Sequence, residues 1–278
     1  MPETPQPLVQ PDQLIRHLGA PDLVVLDVRW SLERGAERQA HRAGHIPGAE
    51  FVDLDQELAA PAGPRGRHPL PKVESFAADM RRHGVSASSQ VVVYDEVTGA
   101  AARAWWMLRA AGHRRVAVLD GGLQAYLEAG GRLTSELPAP RAGDFQTTGF
   151  ESWVGAAGLE TCRDEGTLVV DARARGRYLG QPNPLDPRPG HIPGAVSLPW
   201  TDLFEEGRLR PAAELRRLLG ESGAGDRPVV VYCGSGVTAC AVLLALEVAG
   251  GGPGRLYPGS WSEWAADPSR PVQNPAAG

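Results

Sequence analysis

The sequence has almost no lysine, few cysteines and no long hydrophobic run. Lys72 is the only lysine among 28 basic residues, so a bound anion would meet arginine, whose planar guanidinium can hold it with two hydrogen bonds. Three cysteines are too few and too scattered for a disulfide framework or a Cys-x2-Cys metal site. No apolar run approaches the roughly 18 residues of a membrane span, and the N-terminus lacks a basic-then-apolar leader. These absences predict a soluble, cytoplasmic protein with no membrane partner and no bound metal.

Charge and length narrow the possibilities further. The 28 basic residues are offset by 33 acidic ones, and the net charge of −5 argues against a nucleic-acid partner. At about 150 residues per domain, a chain of 278 residues is long enough for two separate cores.

Four sequence blocks occur twice in the same order. The pairs are LVVLDVR at 23–29 with LVVDAR at 168–173, GHIPGA at 44–49 and 190–195, VVVYD at 91–95 with VVVYC at 229–233, and VLDGG at 118–122 with LYPGS at 256–260. A repeat of this kind predicts a duplicated domain. We expect an N-terminal domain over 1–137, a linker over 138–151 and a C-terminal domain over 152–278.

Each repeat alternates short β-branched runs with amphipathic, helix-length stretches. This pattern predicts an α/β fold in which each domain has a small, mostly parallel sheet with helices on both faces. The predicted strands are Leu23–Val28, Val91–Tyr94, Val116–Leu119, Leu168–Val170 and Val229–Tyr232. The predicted helices are Gln13–Leu18, Val73–His83, Ala100–Ala111, Gly122–Ala129, Ser152–Asp164, Ala212–Gly220 and Thr238–Val248.

Cys233 follows a buried strand and precedes a strongly apolar helix. The carboxyl end of a parallel strand is where α/β sheets bind ligands. Small residues at 234–236 let several backbone N–H groups converge on the sulfur, and the helix adds the positive end of its dipole, so both effects stabilise a thiolate. The matching position of the first repeat is Asp95, which predicts one reactive and one degenerate copy. Cys162 and Cys240 are expected in the core.

Other uses of this loop lack residues that they would need. The spacing Gly234-x-Gly236-x-x-Ala239 matches a dinucleotide fingerprint, but no acidic residue ends a following strand. A cysteine phosphatase would want an arginine at position 239. No histidine accompanies Cys233 and Cys240 in a metal-ligand pattern.

The loop CGSGVT at 233–238, the two GHIPGA turns, LVVDARARGRYLG at 168–180 and GSWSEW at 259–264 resemble a tandem-rhodanese sulfurtransferase. The loop is most similar to that of the 3-mercaptopyruvate sulfurtransferases. The resemblance implies a non-catalytic N-terminal domain and a catalytic C-terminal domain that forms a persulfide on Cys233 without a cofactor. Its partners would be a small-molecule sulfur donor and a thiol acceptor, such as a small thiol or a thioredoxin-like protein, or cyanide.

The resemblance also assigns residues to the donor site. Arg177 matches the substrate-binding arginine, and Arg188 is the nearest candidate for a second one. Asp171 and Arg173 are expected to pair in a structural role. The loop residues Gly234, Gly236, Val237 and Thr238 would surround the bound sulfur.

A proton relay is implied by the same likeness. Ser235 matches the family's loop serine, and Asp55 and His68 match an acidic residue and a histidine that accompany it. Pro258 stands where the family usually has an aspartate.

Three functions stay open at this point. Gly234 and Ser235 are uncharged, which favours 3-mercaptopyruvate as donor over thiosulfate, because thiosulfate enzymes of this family place basic side chains in the loop. A thiosulfate sulfurtransferase is the main alternative. The third is a persulfide-carrier module with little turnover of small donors.

Overall fold

The computed structural model describes residues 6–96, 99–139, 141–225 and 227–277, which divide into two compact units. The first unit holds the described residues up to Ala60, with Leu70–Glu151 and Glu206–Arg208. The second holds Pro61–Pro69, Ser152–Glu205 and the described residues from Leu209 onward. The predicted linker 138–151 lies with the first unit. Residues 1–5, 97, 98, 140, 226 and 278 of the predicted domains and linker lie outside the described part.

The first unit is built on a parallel sheet. Its strands are β1 (Leu8–Val9), β2 (Leu23–Asp27), β3 (Trp30–Ser31), β4 (Gly35–Ala36), β5 (Ala49–Phe51), β6 (Gln90–Tyr94) and β7 (Val116–Leu119). Its helices are α1 (Pro11–His17), α2 (Arg38–Ala43), α3 (Leu54–Glu57), α4 (Val73–Arg82), α5 (Gly99–Ala110) and α6 (Gly122–Glu128). Among the described residues, five strands pair in the order β1-β7-β6-β2-β5, all parallel.

The second half of the chain repeats this plan. Its strands are β8 (Leu168–Asp171), β9 (Val196–Ser197), β10 (Phe204–Glu205), β11 (Arg208–Leu209), β12 (Val229–Tyr232) and β13 (Gly254–Leu256). Its α-helices are α7 (Ala156–Asp164), α8 (Arg175–Tyr178), α9 (Ala212–Glu221), α10 (Ala239–Ala249) and α11 (Ser260–Trp264), with 3-10 turns at Trp200–Leu203 and Pro275–Ala277. Four of the described strands form the parallel sheet β13-β12-β8-β9. The predicted α/β class with mostly parallel sheets is therefore confirmed.

The helices fall into two kinds that follow from their sequences. On α4, Phe76, Ala77 and Met80 are buried on one face, as expected of an amphipathic surface helix. By contrast, α5 is rich in alanine with two tryptophans, α10 is rich in alanine, leucine and valine, and most residues of both helices are buried. Helix α10 begins directly after the loop 233–238, so that loop is joined to a helix buried in the core. No helix of the described residues is long and apolar enough to cross a membrane.

A buried ion pair occurs in both units at equivalent places. In the first, Arg29 and the Tyr94 hydroxyl donate to the Asp27 carboxylate. In the second, Arg173 and the Tyr232 hydroxyl donate to Asp171 in the same way, with Arg173 Nη2 to Oδ2 at 2.6 Å. The copy without a cysteine keeps the same network, as a structural role for the pair would require.

Candidate active site

Cys233 lies directly after β12, at the carboxyl edge of the second unit's sheet. Its side chain is buried, with 2% of the residue exposed. The backbone N–H of Gly236 donates to Cys233 Sγ at 3.1 Å. The loop therefore curls back over the sulfur, as its small residues predict, and offers a hydrogen bond to negative charge on it.

The loop is held by hydrogen bonds to the start of α11. Cys233 N–H donates to Ser260 Oγ at 3.1 Å, and Trp261 N–H donates to the Cys233 carbonyl at 3.0 Å. Ser262 N–H binds the Gly234 carbonyl at 3.0 Å. These bonds explain why the GSWSEW segment belongs to the site: it holds the main chain on either side of the sulfur.

Gly236 can only be glycine in this arrangement. Its φ of +80° lies in the left-handed region, and a Cβ atom there would lie 2.4 Å from the carbonyl oxygen of Pro258. Pro258, at the position where the family usually has an aspartate, thus packs with its backbone against the loop.

The other two cysteines are core residues, as predicted. Cys240 is fully buried on α10 and its thiol contacts the Gly236 carbonyl at 3.5 Å. Cys162 belongs to the hydrophobic core of the second unit.

In the first unit, Asp95 follows β6 where Cys233 follows β12. Its carboxylate accepts the N–H groups of Ala100 and Ala101, both at 2.9 Å, at the start of α5. A fixed negative charge therefore occupies the helix N-terminus in the copy that has no thiol. The same kind of position in the second unit is suited to a thiolate or a persulfide.

Ser235 and His68 come together in the second unit. The Ser235 Oγ lies 2.8 Å from His68 Nδ1, and both side chains are buried. Asp55, the third member of the predicted relay, belongs to the first unit, where its Oδ2 accepts the Trp30 indole N–H at 3.0 Å. The contact between serine and histidine supplies a path for one proton, and the role of Asp55 stays a prediction.

Arg177 lies against the loop, where the resemblance places it. A Cβ atom on Gly234 would lie 3.0 Å from its Nη2. Its guanidinium is also paired with Asp186, through Nε at 2.9 Å and through Nη2. This counter-ion was not predicted from the sequence.

Arg188 has a different environment from the one predicted. Within the part of the chain that the structure describes, its guanidinium donates to backbone carbonyls after α11, those of Trp264, Ala265, Asp267 and Arg270. Trp261 Nε1–H donates to the Arg188 carbonyl in return, at 3.0 Å. Its donors thus fasten the chain after α11, and a donor-binding role would require several of these bonds to break.

Arg173 is held by Asp171, in the structural role predicted for the pair. Burial disfavours its charge, but the Asp171 carboxylate raises the pKa of Arg173 above its ordinary value. The guanidinium also stacks over the Trp261 ring, 4.5 Å from its centroid. The pair thereby joins the end of β8 to α11, which contacts the Cys233 loop.

Sequence reasoning missed Arg67, which precedes His68. A Cβ atom on Gly234 would lie 2.8 Å from Arg67 Nη2. Burial and the nearby Arg177 charge lower the pKa of Arg67. The only sequence signal was its place beside a predicted relay residue. Arg67 and Gly234 are 167 residues apart in the sequence, and they are brought together because 61–69 folds into the second unit.

The described residues contain no group of three or more histidine, cysteine, aspartate or glutamate side chains placed to hold a metal ion. The polar groups gathered at the Cys233 loop are the thiol, the Gly236 N–H, the serine–histidine pair and the two arginines.

Comparison with known proteins identifies the repeat. The family model described as "Rhodanese-like domain" matches residues 10–129 and again 157–267. A Pseudomonas aeruginosa protein, provisionally named a 3-mercaptopyruvate sulfurtransferase, is 46% identical over 276 residues, covering 95% of this chain and 97% of the relative. A Mycobacterium tuberculosis protein, provisionally named thiosulfate sulfurtransferase SseB, is 42% identical over 277 residues, covering 96% of each chain.

The fold is similar to that of solved structures as well. The crystal structure of SseA from Escherichia coli, described as a 3-mercaptopyruvate sulfotransferase with the rhodanese fold, superposes with a TM-score of 0.83 at 35% identity. The match covers 93% of this chain and 100% of that one.

Proposed function

Because this chain belongs to the rhodanese-like domain family and carries the domain twice, we propose that it is a sulfurtransferase that takes a sulfur atom from 3-mercaptopyruvate. The observation that carries the proposal is Cys233 at the end of β12, with the Gly236 N–H 3.1 Å from its sulfur. A buried thiol that accepts a hydrogen bond from a loop amide is suited to hold a persulfide.

The reaction divides into two displacements at sulfur. The Cys233 thiolate attacks the donor sulfur, the carbon–sulfur bond breaks, and its electron pair leaves with carbon as the enolate of pyruvate. The enolate takes up the proton that the donor thiol gave away, so pyruvate and an enzyme persulfide result. An acceptor thiolate or cyanide then attacks the outer sulfur and returns Cys233 to the thiolate.

The serine–histidine contact supports a thiol donor. A mercaptopyruvate thiol has to lose its proton before or during attack, and Ser235 Oγ at 2.8 Å from His68 Nδ1 offers a route for it. We propose Asp55 as the third member of that relay, on the resemblance alone. Thiosulfate carries no such proton and would have no use for the relay.

Two guanidinium groups beside Gly234 favour an anionic donor. Arg177 is the predicted partner of the donor carboxylate, and Gly234, Gly236, Val237 and Thr238 are the proposed lining of the sulfur site. The same two cations would also suit a compact dianion, so thiosulfate is the second candidate, consistent with the name of the Mycobacterium tuberculosis relative.

The acceptor is proposed to be a small thiol or a thioredoxin-like protein. We propose that the protein itself is cytoplasmic, because the cytoplasm is reducing enough to keep the three free cysteines as thiols. A persulfide carrier served by another enzyme would show the same cysteine but little turnover with free donors.

Intact-mass spectrometry separates these functions. Purified protein is incubated with 3-mercaptopyruvate or with thiosulfate, and the gain of one sulfur atom is measured, with Cys233→Ser as control. We expect an adduct and pyruvate release with 3-mercaptopyruvate. An adduct only with thiosulfate would favour the second candidate, and an adduct with neither donor would favour the carrier.

A further inference from the structure

Two arginines face the residue that follows the catalytic cysteine, and they differ in what else they bind. A Cβ atom on Gly234 would lie 2.8 Å from Arg67 Nη2 and 3.0 Å from Arg177 Nη2. The open face of Gly234 is therefore bordered by two cations. An anion placed there can accept hydrogen bonds from either.

Arg177 is already engaged by a carboxylate. Asp186 accepts from its Nε at 2.9 Å and from its Nη2, and Arg173 Nη1 lies 3.4 Å from the same carboxylate. The Asp186 side chain is only 4% exposed, so this pairing is shielded from solvent. A donor carboxylate would have to compete with Asp186 for the fork of Arg177.

Arg67 feels the charge of Asp186 as well, but no carboxylate of the described residues is hydrogen-bonded to it. It makes no ion pair among the described residues, and its Nη1 donates to the neutral carbonyl of Leu185 at 2.5 Å. Its buried Nε has no hydrogen-bond partner in the described part of the chain. An unpartnered buried N–H is costly, and a site that awaits an anionic ligand accounts for it.

The segment that carries Arg67 is fixed rather than loose. Arg67 N–H donates to Ser262 Oγ at 3.0 Å. Gly66 has φ +103°, and a Cβ atom there would lie 2.7 Å from the Gly259 carbonyl oxygen. The close packing of this backbone on the start of α11 sets the direction of the Arg67 side chain before a donor arrives.

We propose that Arg67 is the principal binding residue for the carboxylate of the sulfur donor, and that Asp186 withholds Arg177 from this role. The inference rests on the proposed function and names the anion-binding group of that site. The nearby charge of Arg177 disfavours the charged form of Arg67 in the empty site, and a carboxylate bound to Arg67 would offset that repulsion.

Steady-state kinetics of Arg67→Ala, Arg67→Lys and Arg65→Ala test the first part. Arg65 is an exposed arginine of the same segment and serves as the matched control. Loss of a charge-assisted hydrogen bond should raise KM for 3-mercaptopyruvate roughly 10- to 100-fold in Arg67→Ala. The acceptor KM, kcat and melting temperature should stay near those of the wild type, Arg67→Lys should be intermediate, and Arg65→Ala should be unchanged.

An unchanged donor KM in Arg67→Ala would overturn the inference, as would an equal rise in the donor and acceptor KM values. If Arg67→Ala does not fold, Arg67→Lys and Arg67→Gln decide the matter, since only the lysine variant keeps the charge. Failure of the proposed function has a different signature, because the wild type itself would then gain no sulfur from the donor.

The role of Asp186 is tested by rescue. Asp186→Asn placed in the Arg67→Ala background should lower the donor KM again, because it releases the fork of Arg177. In the triple variant that also carries Arg177→Ala, Asp186→Asn should bring no rescue of the donor KM. A double variant of Arg67 and Asp186 that is no better than Arg67→Ala would overturn this part.

Discussion

At the scale of single residues, the proposed chemistry depends on one sulfur atom. Replacing Cys233 by serine puts a hydroxyl under the loop amides, and a hydroxyl cannot form a persulfide. We expect Cys233→Ser to abolish sulfur transfer while the thermal melt stays close to that of the wild type. Cys162→Ser and Cys240→Ser should keep their activity after any loss of stability, since both residues belong to the core. Turnover by Cys233→Ser would contradict the assignment.

Gly236 is the loop residue whose side chain has no room. Gly236→Ala forces an L-residue into φ +80° and sets a Cβ atom against the Pro258 carbonyl. The left-handed backbone alone costs about 1–2 kcal/mol, so unfolding free energy and kcat should both fall. Gly220→Ala is the matched control, because nothing lies within 4 Å of a Cβ atom at that exposed helical position. There stability should hold or rise by about 0.5–1 kcal/mol. Equal behaviour of the two variants would refute the steric argument.

At the scale of elements, a partly buried histidine ties three parts of the first unit together. His83, at the end of α4, lies 3.0 Å from Glu57 of α3 and 3.8 Å from Glu50 of β5, while Arg82 also pairs with Glu57. Burial lowers the pKa of His83, but the two carboxylates outweigh it and raise the pKa to about 9, against 6.5 ordinarily. These elements are therefore joined by a charged imidazolium near neutral pH.

This pairing should make stability depend on pH. Because the pKa of His83 is higher in the folded protein than in the unfolded chain, its pairing stabilises the fold fully below about pH 6.5. This contribution is lost as the pH rises through about 9. The two values differ by an amount that corresponds to roughly 3 kcal/mol. Urea unfolding between pH 6.5 and 9.5 should show this decline in the wild type and a flatter profile in His83→Gln. Parallel profiles would assign the dependence to other groups.

Elements with a clear hydrophobic period were predictable from the sequence, and the shortest ones were not. The helices Val73–Arg82 and Ala212–Glu221 lie within a residue of the predicted bounds. Strands such as β9 (Val196–Ser197) and β13 (Gly254–Leu256) have two or three residues, too few to show a period of two. They form because β8 and β12 offer open edges for pairing.

Of the candidate site, the sequence identified what lies in one continuous segment. The Cys233 loop and the Asp171–Arg173 pair each follow a predicted strand, so their positions come with the strand. The environment of Arg188 and the pairing of Arg177 with Asp186 depend on how the irregular residues 181–189 fold back, for which the sequence has no periodic signal. Arg67 was missed for the same reason.

At the scale of the whole molecule, the choice of donor reflects several distant segments. The proposed relay of Ser235 and His68 would serve a donor with a thiol proton, and no basic side chain belongs to loop residues 234–238. We expect kcat/KM to favour 3-mercaptopyruvate over thiosulfate. Ser235→Ala should lower turnover of 3-mercaptopyruvate and leave thiosulfate turnover almost unchanged. Assays of both proteins with both donors at one ionic strength check this, and equal losses with the two donors would exclude the relay.

The nine residues Pro61–Pro69 belong to the second unit, although the chain on either side of them belongs to the first. They carry His68 and Arg67, so the proposed active site of the second unit includes two side chains from the first half of the chain. A gene that lost the first repeat would lose both side chains together with the degenerate copy. The second repeat by itself, residues 152–278, would therefore lack both side chains, although it carries Cys233 and the whole of its loop.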